Sequence, residues 1–399
     1  MIDSSGSPLA PAPASAPLLG SMVFVNDRES EGIIRQCLSD IGILSVEFNN
    51  GTIVNAISEL AKRTSPRLLI VDISGVSEPM AHVIQLAEVC EPATGVIVIG
   101  EVNDITLYRE FKAAGIVEYF FKPLVRDIFV RTCDGILKGH IDQHTSRMGK
   151  LVFVLGINGG VGATTIAVNA AWSLAETYQR PVMLIDLDVY LGDAALQLNV
   201  TPNEALREAL EHPERVDDLF IERGVIRVTK RLSLLASLEP FDNIIAPQEK
   251  AVLSLLETLL RRYRYVFVDM PVALVPQLMK VIYLPSICLM VSNSSLTAAR
   301  DIVRWRQKIG PNTLERSTLH ILNNSGSSNG LPESEFVRAI GQPPDIIIPT
   351  DRVIGTASKL GITEVEKVAS LQRGLAPILR LLAGKKTKSY DSFLARIFG

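Results

Sequence analysis

The sequence predicts an α/β protein of two domains, each built on a doubly wound parallel sheet with helices on both faces. Short apolar runs alternate with stretches of helical spacing along most of the chain, which is typical of parallel sheets. The 399 residues, 47% of them hydrophobic, are enough for two or three domains that each bury a core. A polar segment with glycine near both ends, residues 138–149, interrupts the alternation and indicates a linker.

The first domain is predicted over residues 22–137. Its expected strands are Met22–Val25, Leu68–Asp72, Val96–Ile99 and Tyr119–Phe121, with helices that include Glu31–Ile41 and Val54–Arg63. Residues 1–21 are rich in Pro, Ala and Ser and lack the basic start and apolar core of a secretion signal. They predict a disordered leader.

The second domain is predicted over residues 150–383, again as alternating strands and helices. Its helices include Thr164–Thr177 and Gln248–Arg262, and its expected strands are Leu151–Leu155, Val182–Ile185, Leu232–Ala236, Tyr265–Val268, Ile287–Val291, Leu319–Leu322 and Asp345–Ile348. Wholly apolar strands are expected where both faces of a sheet are covered by helices.

Composition excludes several classes of function. A net charge of −3 and a pI near 6.0 argue against a dedicated nucleic-acid binder, whose surface is usually basic. The four cysteines are scattered without CxxC spacing. We therefore expect the protein to lie in a reducing cytoplasm and to have neither a disulfide framework nor a zinc site. The apolar stretch Met270–Val291 contains three prolines and a lysine, and it predicts two buried strands around a connecting segment rather than a membrane span.

The strongest chemical signal is GINGGVGATT, Gly156–Thr165, which follows an apolar strand and opens a long helix. This context distinguishes a phosphate-binding loop from a chance run of glycines. Glycines let successive backbone N–H groups point at one phosphate, and the helix N-terminus adds positive potential. Thr164 stands where a hydroxyl would bind Mg²⁺. The alternative, a glycine-rich turn without a ligand, stays open.

Acidic residues follow two later strands of the same domain. Asp186 and Asp188 follow the strand Val182–Ile185, and Asp269 follows the strand Tyr265–Val268. The carboxyl ends of parallel strands are where α/β sheets place their ligands. Taken singly, each acid is as well explained as a helix cap or a turn residue, whereas their order after the loop indicates a functional site.

This order of motifs resembles the MinD/ParA ATPases, a family of P-loop NTPases whose phosphate loop reads KGGVGKTT. The resemblance implies ATP and Mg²⁺ as ligands. The implied nucleotide-binding residues are Asn158, Gly159, Gly160, Val161, Gly162, Ala163, Thr164, Thr165, Asn323, Pro349 and Asp351. Among them Asn323 is implied to read adenine. Thr164, Asp186 and Asp269 are implied to serve the metal, and Asp188 is implied to be the catalytic residue that positions the attacking water.

The loop departs from the family at both lysines, which are Asn158 and Ala163 here. In the family the second lysine contacts the β- and γ-phosphates, and the first reaches the nucleotide of a dimer partner. The backbone cradle survives, so we expect nucleotide binding with weak or absent hydrolysis. The alternative is an active ATPase in which Arg223, Lys230 or Arg231 replaces the lysines.

The first domain resembles a response-regulator receiver, a flavodoxin-like fold. Asp72 ends a strand where the phosphoacceptor lies, Asp27 stands for the metal-binding acids, and Lys122 matches the phosphate-neutralising lysine. The acidic pair is reduced to Asn26-Asp27, and the switch Ser/Thr is Gly100. A receiver-shaped docking or dimerisation domain is therefore favoured over phosphorylation at Asp72.

A degenerate receiver fused to a MinD/ParA-like ATPase with an altered loop resembles the CpaE/TadZ family, which serves assembly of Flp-type (tight-adherence) pili. The run Leu206–Asp242 resembles a segment of that family. The resemblance implies a cytoplasmic, ATP-binding homodimer at the cell pole that recruits pilus-assembly and secretion proteins to the inner membrane. A DNA-partitioning role needs a basic surface, and a net charge of −3 with no long basic cluster in the second domain argues against that role.

Residues 384–399 predict a basic amphipathic tail. Lys385, Lys386 and Lys388 precede an apolar stripe that includes Phe393, Leu394, Ile397 and Phe398. Such a helix favours anionic lipid or a partner protein. The alternative is a helix packed on its own domain or in a homodimer.

Overall fold

The computed structural model describes residues 20–43, 45–63, 65–138, 148–313, 315–325, 330–351 and 368–382. The chain divides into two units, Met1–Ser146 and Arg147–Gly399. Nearly all of the predicted leader, residues 139–147 of the predicted linker, and the predicted tail lie outside the described residues. The tail residues concerned are Phe393, Leu394, Ile397 and Phe398.

The first unit contains a five-stranded parallel sheet in the order β2-β1-β3-β4-β5. Its strands are β1 (Ser21–Val25), β2 (Val46–Asn50), β3 (Leu68–Asp72), β4 (Gly95–Gly100) and β5 (Glu118–Phe121). Its helices are α1 (Arg28–Asp40), α2 (Ile53–Leu60), α3 (Pro79–Val89), α4 (Ile105–Ala113) and α5 (Arg126–Lys138). Apolar cores cover both faces of the sheet. Strand β2 was not predicted, because its sequence VEFNN is half-exposed and has no apolar run.

The second unit contains an eight-stranded sheet in the order β13-β12-β11-β6-β10-β7-β9-β8. Its strands are β6 (Lys150–Gly156), β7 (Val182–Asp186), β8 (Ile226–Arg227), β9 (Leu232–Leu235), β10 (Tyr265–Met270), β11 (Ser286–Ser292), β12 (Arg316–Ser325) and β13 (Ile346–Pro349). All pairings are parallel except that of the short edge strand β8 with β9, and the predicted parallel α/β sheet is confirmed.

Helices cover both faces of this second sheet and enclose two large apolar cores. They are α6 (Ala163–Glu176), α7 (Ala194–Gln197), α8 (Ala205–Glu211), α9 (Asp218–Gly224), α10 (Glu249–Arg262), α11 (Met279–Ile282), α12 (Leu296–Ile309), α13 (Glu333–Ile340) and α14 (Ala369–Leu382). In the stretch Met270–Val291, Met270 ends β10, and a 3₁₀ turn and α11 lead into β11. Among the described residues, no helix has the length and apolarity needed to span a bilayer.

The strand order places the candidate site. The chain leaves β6 through α6 to β7 on one side, and later passes from β10 to β11 on the other side of β6. A crevice forms at the carboxyl end of a strand whose two neighbours are reached in opposite directions. The glycine-rich loop follows β6, so it lies at that switch point.

Candidate nucleotide-binding site

The phosphate loop joins the end of β6, at Gly156, to the start of α6, at Ala163. Gly160 and Gly162 have φ angles of 71° and 84°, in the left-handed region that favours glycine. The N-cap of α6 is Gly162, which has no side chain to satisfy the first helical N–H groups. A loop of this geometry leaves backbone donors for an anion at a helix N-terminus.

Asn323 on β12 connects the far side of the crevice to this loop. Its Nδ2 donates a hydrogen bond of 2.8 Å to the carbonyl oxygen of Val161. A Cβ at Gly162 would stand 2.6 Å from the same nitrogen, so position 162 has no room for a side chain. The amide of Asn323 is 6% exposed, and its Oδ1 has no hydrogen-bond partner within the described part of the chain.

Asn158 presents a second buried acceptor in the same loop. Its Oδ1 is also buried and has no partner among the described residues. A buried acceptor without a donor is costly in a folded protein. Two such acceptors beside a phosphate-type loop fit a ligand that carries both an anion and N–H groups, as a purine nucleotide does.

Asp186 and Asp269 lie side by side at the carboxyl ends of β7 and β10, where their Cα atoms are register partners. Asp186 accepts hydrogen bonds from the backbone N–H groups of Asp188 and Ala194, both at 3.1 Å. Burial raises the pKa of the Asp186 carboxyl. Burial, followed by the adjacent charge of Asp186, raises the pKa of Asp269, while a hydrogen bond from the Thr164 hydroxyl opposes that rise.

Asp188 sits in the loop after β7 and accepts hydrogen bonds from the backbone N–H groups of Tyr190 (3.3 Å) and Leu191 (2.9 Å). Two residues that follow were missed by sequence reasoning. A Cβ at Gly192 would stand 2.5 Å from Oδ2 of Asp186, and the charge of Asp193 raises the pKa values of both Asp186 and Asp269. The only available signal was the Gly-Asp pair shortly after the two aspartates.

The carboxylates at the carboxyl end of the second sheet have no positive charge from position 163, which is alanine here and lysine in the MinD/ParA ATPases. Within the described ranges, Asp186, Asp188 and Asp269 form no ion pair. Carboxylates and a threonine hydroxyl are donors that suit Mg²⁺. No group of three or more His, Cys, Asp or Glu side chains in the described chain is arranged to hold a metal alone. Mg²⁺ usually keeps several waters and substrate phosphate oxygens as ligands, so one or two carboxylates and a hydroxyl are the protein ligands it needs.

Pro349 and Asp351 lie at the end of β13. Pro349 is the register partner of Ser325 on β12, two residues beyond Asn323. The Asp351 carboxylate accepts a hydrogen bond of 2.7 Å from the Ser370 hydroxyl at the start of α14. The structure therefore ties Asp351 to the last described helix, and the implied role of the pair in closing over a base stays a prediction.

The cations considered as lysine replacements lie elsewhere. The backbone carbonyl of Arg231 accepts from the first residue of β7, so Lys230 and Arg231 lie at the amino end of the sheet, opposite the phosphate loop. Arg223 is on α9, which leads into β8, the outermost strand. Four strand spacings of about 4.8 Å separate β8 from β6, the strand that leads into the phosphate loop. None of the three cations therefore takes the place of the lysine in this conformation.

In the first unit, Lys122 joins the two acids that the sequence predicted. Its Nζ lies 2.6 Å from Oδ2 of Asp27 and 2.7 Å from Oδ2 of the fully buried Asp72. Burial lowers the pKa of Lys122, but the hydrogen bonds that its ammonium donates to the two carboxylates outweigh that effect and raise the pKa overall. Asp72 also accepts from the backbone N–H of Ser74 at 2.8 Å.

Gly100 has a tyrosine packed against it. The hydroxyl of Tyr119 donates a hydrogen bond of 2.7 Å to the carbonyl oxygen of Val102, and a Cβ at Gly100 would stand 2.9 Å from that hydroxyl. Tyr119 is 8% exposed. The space that a switch serine or threonine needs is therefore taken by tyrosine.

Comparisons with known proteins agree with this geometry. Residues 148–309, less than half of the chain, match the family model of the cellulose biosynthesis protein BcsQ. The septum site-determining protein MinD of Helicobacter pylori is 24% identical over 260 residues, 62% of this chain and 96% of that protein. The antiactivator FleN of Pseudomonas aeruginosa is 35% identical over 85 residues, 21% of this chain, and the match spans 30% of FleN.

A solved ParA-family ATPase from Chlorobium tepidum TLS superimposes with a TM-score of 0.51 at 22% identity, over 59% of this chain and 98% of that one. The second unit has the MinD/ParA-like ATPase fold. A solved CpaE2 pilus assembly protein from Sinorhizobium meliloti 1021 is 30% identical over 29% of this chain and 98% of that chain, with a TM-score of 0.28.

Proposed function

We propose that this chain is an ATP-binding scaffold for assembly of Flp-type (tight-adherence) pili, and that it hydrolyses ATP weakly or not at all. One observation carries the nucleotide part. The loop keeps its glycine geometry, and Oδ1 of Asn158 in the loop and Oδ1 of Asn323 beside it have no partner among the described residues, while Ala163 offers no cation. A cradle of this kind supports binding, whereas phosphoryl transfer depends on positive charge at the developing transition state.

In this proposal the backbone of residues 158–165 holds the phosphates, and Oδ1 of Asn323 accepts from the exocyclic amine of adenine. Thr164, Asp186 and Asp269 hold Mg²⁺, which supplies the positive charge beside the phosphates when it is bound. Asp188 orients the attacking water in whatever slow hydrolysis occurs. Its Oδ1 accepts hydrogen bonds from two backbone N–H groups of the same loop, and these bonds hold the carboxylate in one orientation.

The pilus role rests on the order of the domains and on the run Leu206–Asp242, which resembles the CpaE/TadZ family. The proposal includes homodimerisation, recruitment of pilus-assembly and secretion proteins at the cell pole, and contact of the tail with the inner membrane. MinD/ParA-like relatives include the MinC:MinD cell division complex of Aquifex aeolicus, in which a protein of this fold holds a partner.

Calorimetry and turnover on the purified full chain test the nucleotide part. We expect heat on titration with MgATP and little or no hydrolysis, and any slow hydrolysis that the wild type shows should be lost in Asp188→Ala. Absence of binding to MgATP and to MgADP would contradict the proposal, as would turnover comparable to that of lysine-containing ParA proteins. Deletion of the gene, with loss of surface pili as the expected result, tests the assembly role.

A further inference from the structure

The second unit contains a cavity of about 650 Å³ whose lining does not include the phosphate loop. Its walls are the end of α12, the first half of β12 and the segment between α13 and β13. Strand β13 pairs with β12 only from Ile321 onward, so within the described ranges this segment, and not a strand, flanks the start of β12. Small-molecule sites in proteins usually have volumes of roughly 300–1,000 Å³. The cavity is therefore large enough for an organic ligand.

The lining of the cavity combines apolar and charged groups. Its apolar side chains are Met290, Ile309, Pro311 and Pro343. Arg306, in the last turn of α12, and Asp345, just before β13, contribute opposite charges. Sites for small molecules commonly combine an apolar lining with a few polar groups that orient the ligand.

Neutral groups hold Arg306 in the cavity. The residue is partly buried, and its Nη1 donates a hydrogen bond of 3.1 Å to the carbonyl oxygen of Ile340. Its Nη2 donates to Nδ1 of His320 at 3.3 Å, and His320 is itself neutral, with a pKa of about 3. When the Gln342 amide is turned so that its oxygen faces Arg306, that oxygen accepts from Nε and Nη2, both at 3.2 Å. Among the described residues, no carboxylate forms an ion pair with Arg306.

The Nε–Nη2 edge of the Arg306 guanidinium matches the two oxygens of a carboxylate. Burial lowers the pKa of Arg306, and the charge of Asp345 opposes that effect. Hydrogen bonds between two charged groups are about twice as strong as neutral ones, so a ligand carboxylate binds this edge more strongly than the amide oxygen of Gln342 does. Gln342 is exposed, so its side chain has solvent to move into. The edge is therefore suited to an anionic ligand.

Asp345 limits the charge of that ligand. Its carboxylate accepts a hydrogen bond of 2.7 Å from the backbone N–H of His320, which fixes a negative charge in the same cavity. A phosphate group carries a charge of about −1.5 to −2 at pH 7, so Asp345 repels it more strongly than it repels a carboxylate. The lining therefore favours a monocarboxylic acid with a hydrocarbon body.

We propose that this cavity is a binding site for a small monocarboxylic acid, whose carboxylate pairs with Arg306 and whose hydrocarbon body packs on the apolar lining. The inference goes beyond the proposed function, because the cavity is separate from the phosphate loop. Thr318, which lines the cavity, and Asn323, beside the loop, are five residues apart on β12, or about 16 Å at 3.3 Å per residue. Both sites can therefore be occupied at once.

Fluorine NMR on the full chain tests the proposal with para-fluorohydrocinnamate as the probe. We expect saturable binding of this acid, and binding at least tenfold weaker for its amide, which has the same hydrocarbon body without the charge. We expect unlabelled hydrocinnamate to displace the probe, and inorganic phosphate to do so at least tenfold less effectively.

Saturating MgATP is expected to leave the dissociation constant of the acid unchanged. The proposal would be overturned by a lack of saturable binding, by equal binding of the amide, by equal displacement by phosphate, or by displacement of the probe by MgATP. Because the titration is first carried out without nucleotide, its result does not depend on whether the phosphate loop binds ATP.

Two variants test whether the acid binds at Arg306. Gln342→Glu gives Arg306 a carboxylate from the chain itself, so we expect the acid to bind at least tenfold more weakly without a fall in the melting temperature of the second unit. Arg306→Met removes the charge, and we expect the same loss of binding. If circular dichroism shows Arg306→Met to be unfolded, Gln342→Glu decides alone, because residue 342 is exposed.

The matched control is Gln248→Glu, which adds the same charge at an exposed glutamine of the second unit outside the cavity. We expect this variant to bind the acid as the wild type does. Wild-type affinity for the acid in Gln342→Glu, or in a folded Arg306→Met, would overturn the proposal.

Discussion

The side-chain amide of Asn323 donates to the carbonyl oxygen of Val161 at 2.8 Å, and this bond joins the end of β12 to the phosphate loop. The two residues are 162 positions apart in the sequence. The bond orients the amide so that Oδ1 remains available as an acceptor. One side chain thus supports the loop and, in the proposed function, supplies the acceptor for the base.

Replacing Asn323 with alanine removes both functions. We expect MgATP affinity to fall at least about tenfold, which corresponds to ~1.4 kcal/mol, because the loop loses its tie and adenine loses an acceptor. Isothermal titration calorimetry measures the MgATP affinity of the variant and the wild type. The matched control is Asn312→Ala, near the opposite end of the same strand, where the amide oxygen accepts from Thr318. Equal affinities of the wild type and Asn323→Ala would contradict the assignment.

Replacing Ala163 with lysine restores a cation beside Asp186 and Asp269. We expect MgATP to bind about tenfold more tightly or better, because opposite charge stabilises both the carboxylates and the phosphates. We also expect the lysine variant to bind ATP measurably in EDTA, and the wild type not to do so. Ala163→Met is the control for length without charge. If the lysine and methionine variants bind alike, charge at position 163 does not limit affinity.

Replacing Gly192 with alanine forces a methyl group against Oδ2 of Asp186. Gly192 itself is half-buried, but the methyl group would press on the buried Asp186. Overpacking against buried groups costs about 2 kcal/mol, so we expect a lower melting temperature for the second unit. Gly159→Ala is the control, because a Cβ there has nothing within 4 Å. Differential scanning calorimetry measures the melting temperatures of the two variants. An unchanged melting temperature in Gly192→Ala would show that the loop shifts at little cost in free energy.

Replacing Lys122 with methionine leaves the fully buried carboxylate of Asp72 without its cation. Removing one partner of a buried ion pair costs about 3 kcal/mol or more, and we expect the first unit to unfold at lower denaturant. The exposed pair Lys138–Asp134 provides the control, since Lys138→Met should change stability by less than about 1 kcal/mol. Equal effects of the two variants would contradict the structural role of Lys122.

His320 makes the second unit sensitive to acid. Burial, and then the nearby Arg306 charge, lower its pKa to about 3 from the ordinary 6.5. Arg306 donates to Nδ1 at 3.3 Å, so Nε2 carries the proton and donates to the Ser292 hydroxyl at 2.8 Å. The unfolded chain gains a proton near pH 6.5 and the folded one only near pH 3. The contribution of His320 to stability is therefore full above pH 6.5 and is lost as the pH falls towards 3, whereas the raised pKa values of Asp186 and Asp269 act in the opposite direction.

Within that window the loss from His320 is about 1.4 kcal/mol per pH unit. We expect the free energy of unfolding of His320→Gln, measured by urea unfolding of the second unit, to become larger relative to that of the wild type as the pH is lowered from 6.5 to 4.5. His212→Gln, at a half-exposed surface histidine of the same unit, is the control. An unchanged pH slope in His320→Gln would show that other groups govern the acid sensitivity.

Elements with strong local patterns were predictable. The buried strands β1, β3 and β10 are apolar runs, and the phosphate loop is a contiguous motif between a strand and a helix. Strand β2 was not predicted from the sequence, because its side chains are half-exposed and mostly polar. Its place in the sheet comes from pairing with β1. The antiparallel β8 is only two residues long and has no periodicity to detect.

The sequence by itself determined the two-unit α/β organisation, the position of the loop and the loss of both lysines, because each is written in neighbouring residues. Tertiary structure alone decided the Asn323–Val161 bond, the burial of Asp186 beside Asp269, and the packing of Tyr119 over Gly100. Those relationships join residues on different strands, so they depend on strand order and register. Local periodicity sets which segments become strands, whereas side-chain packing between segments sets which ones meet.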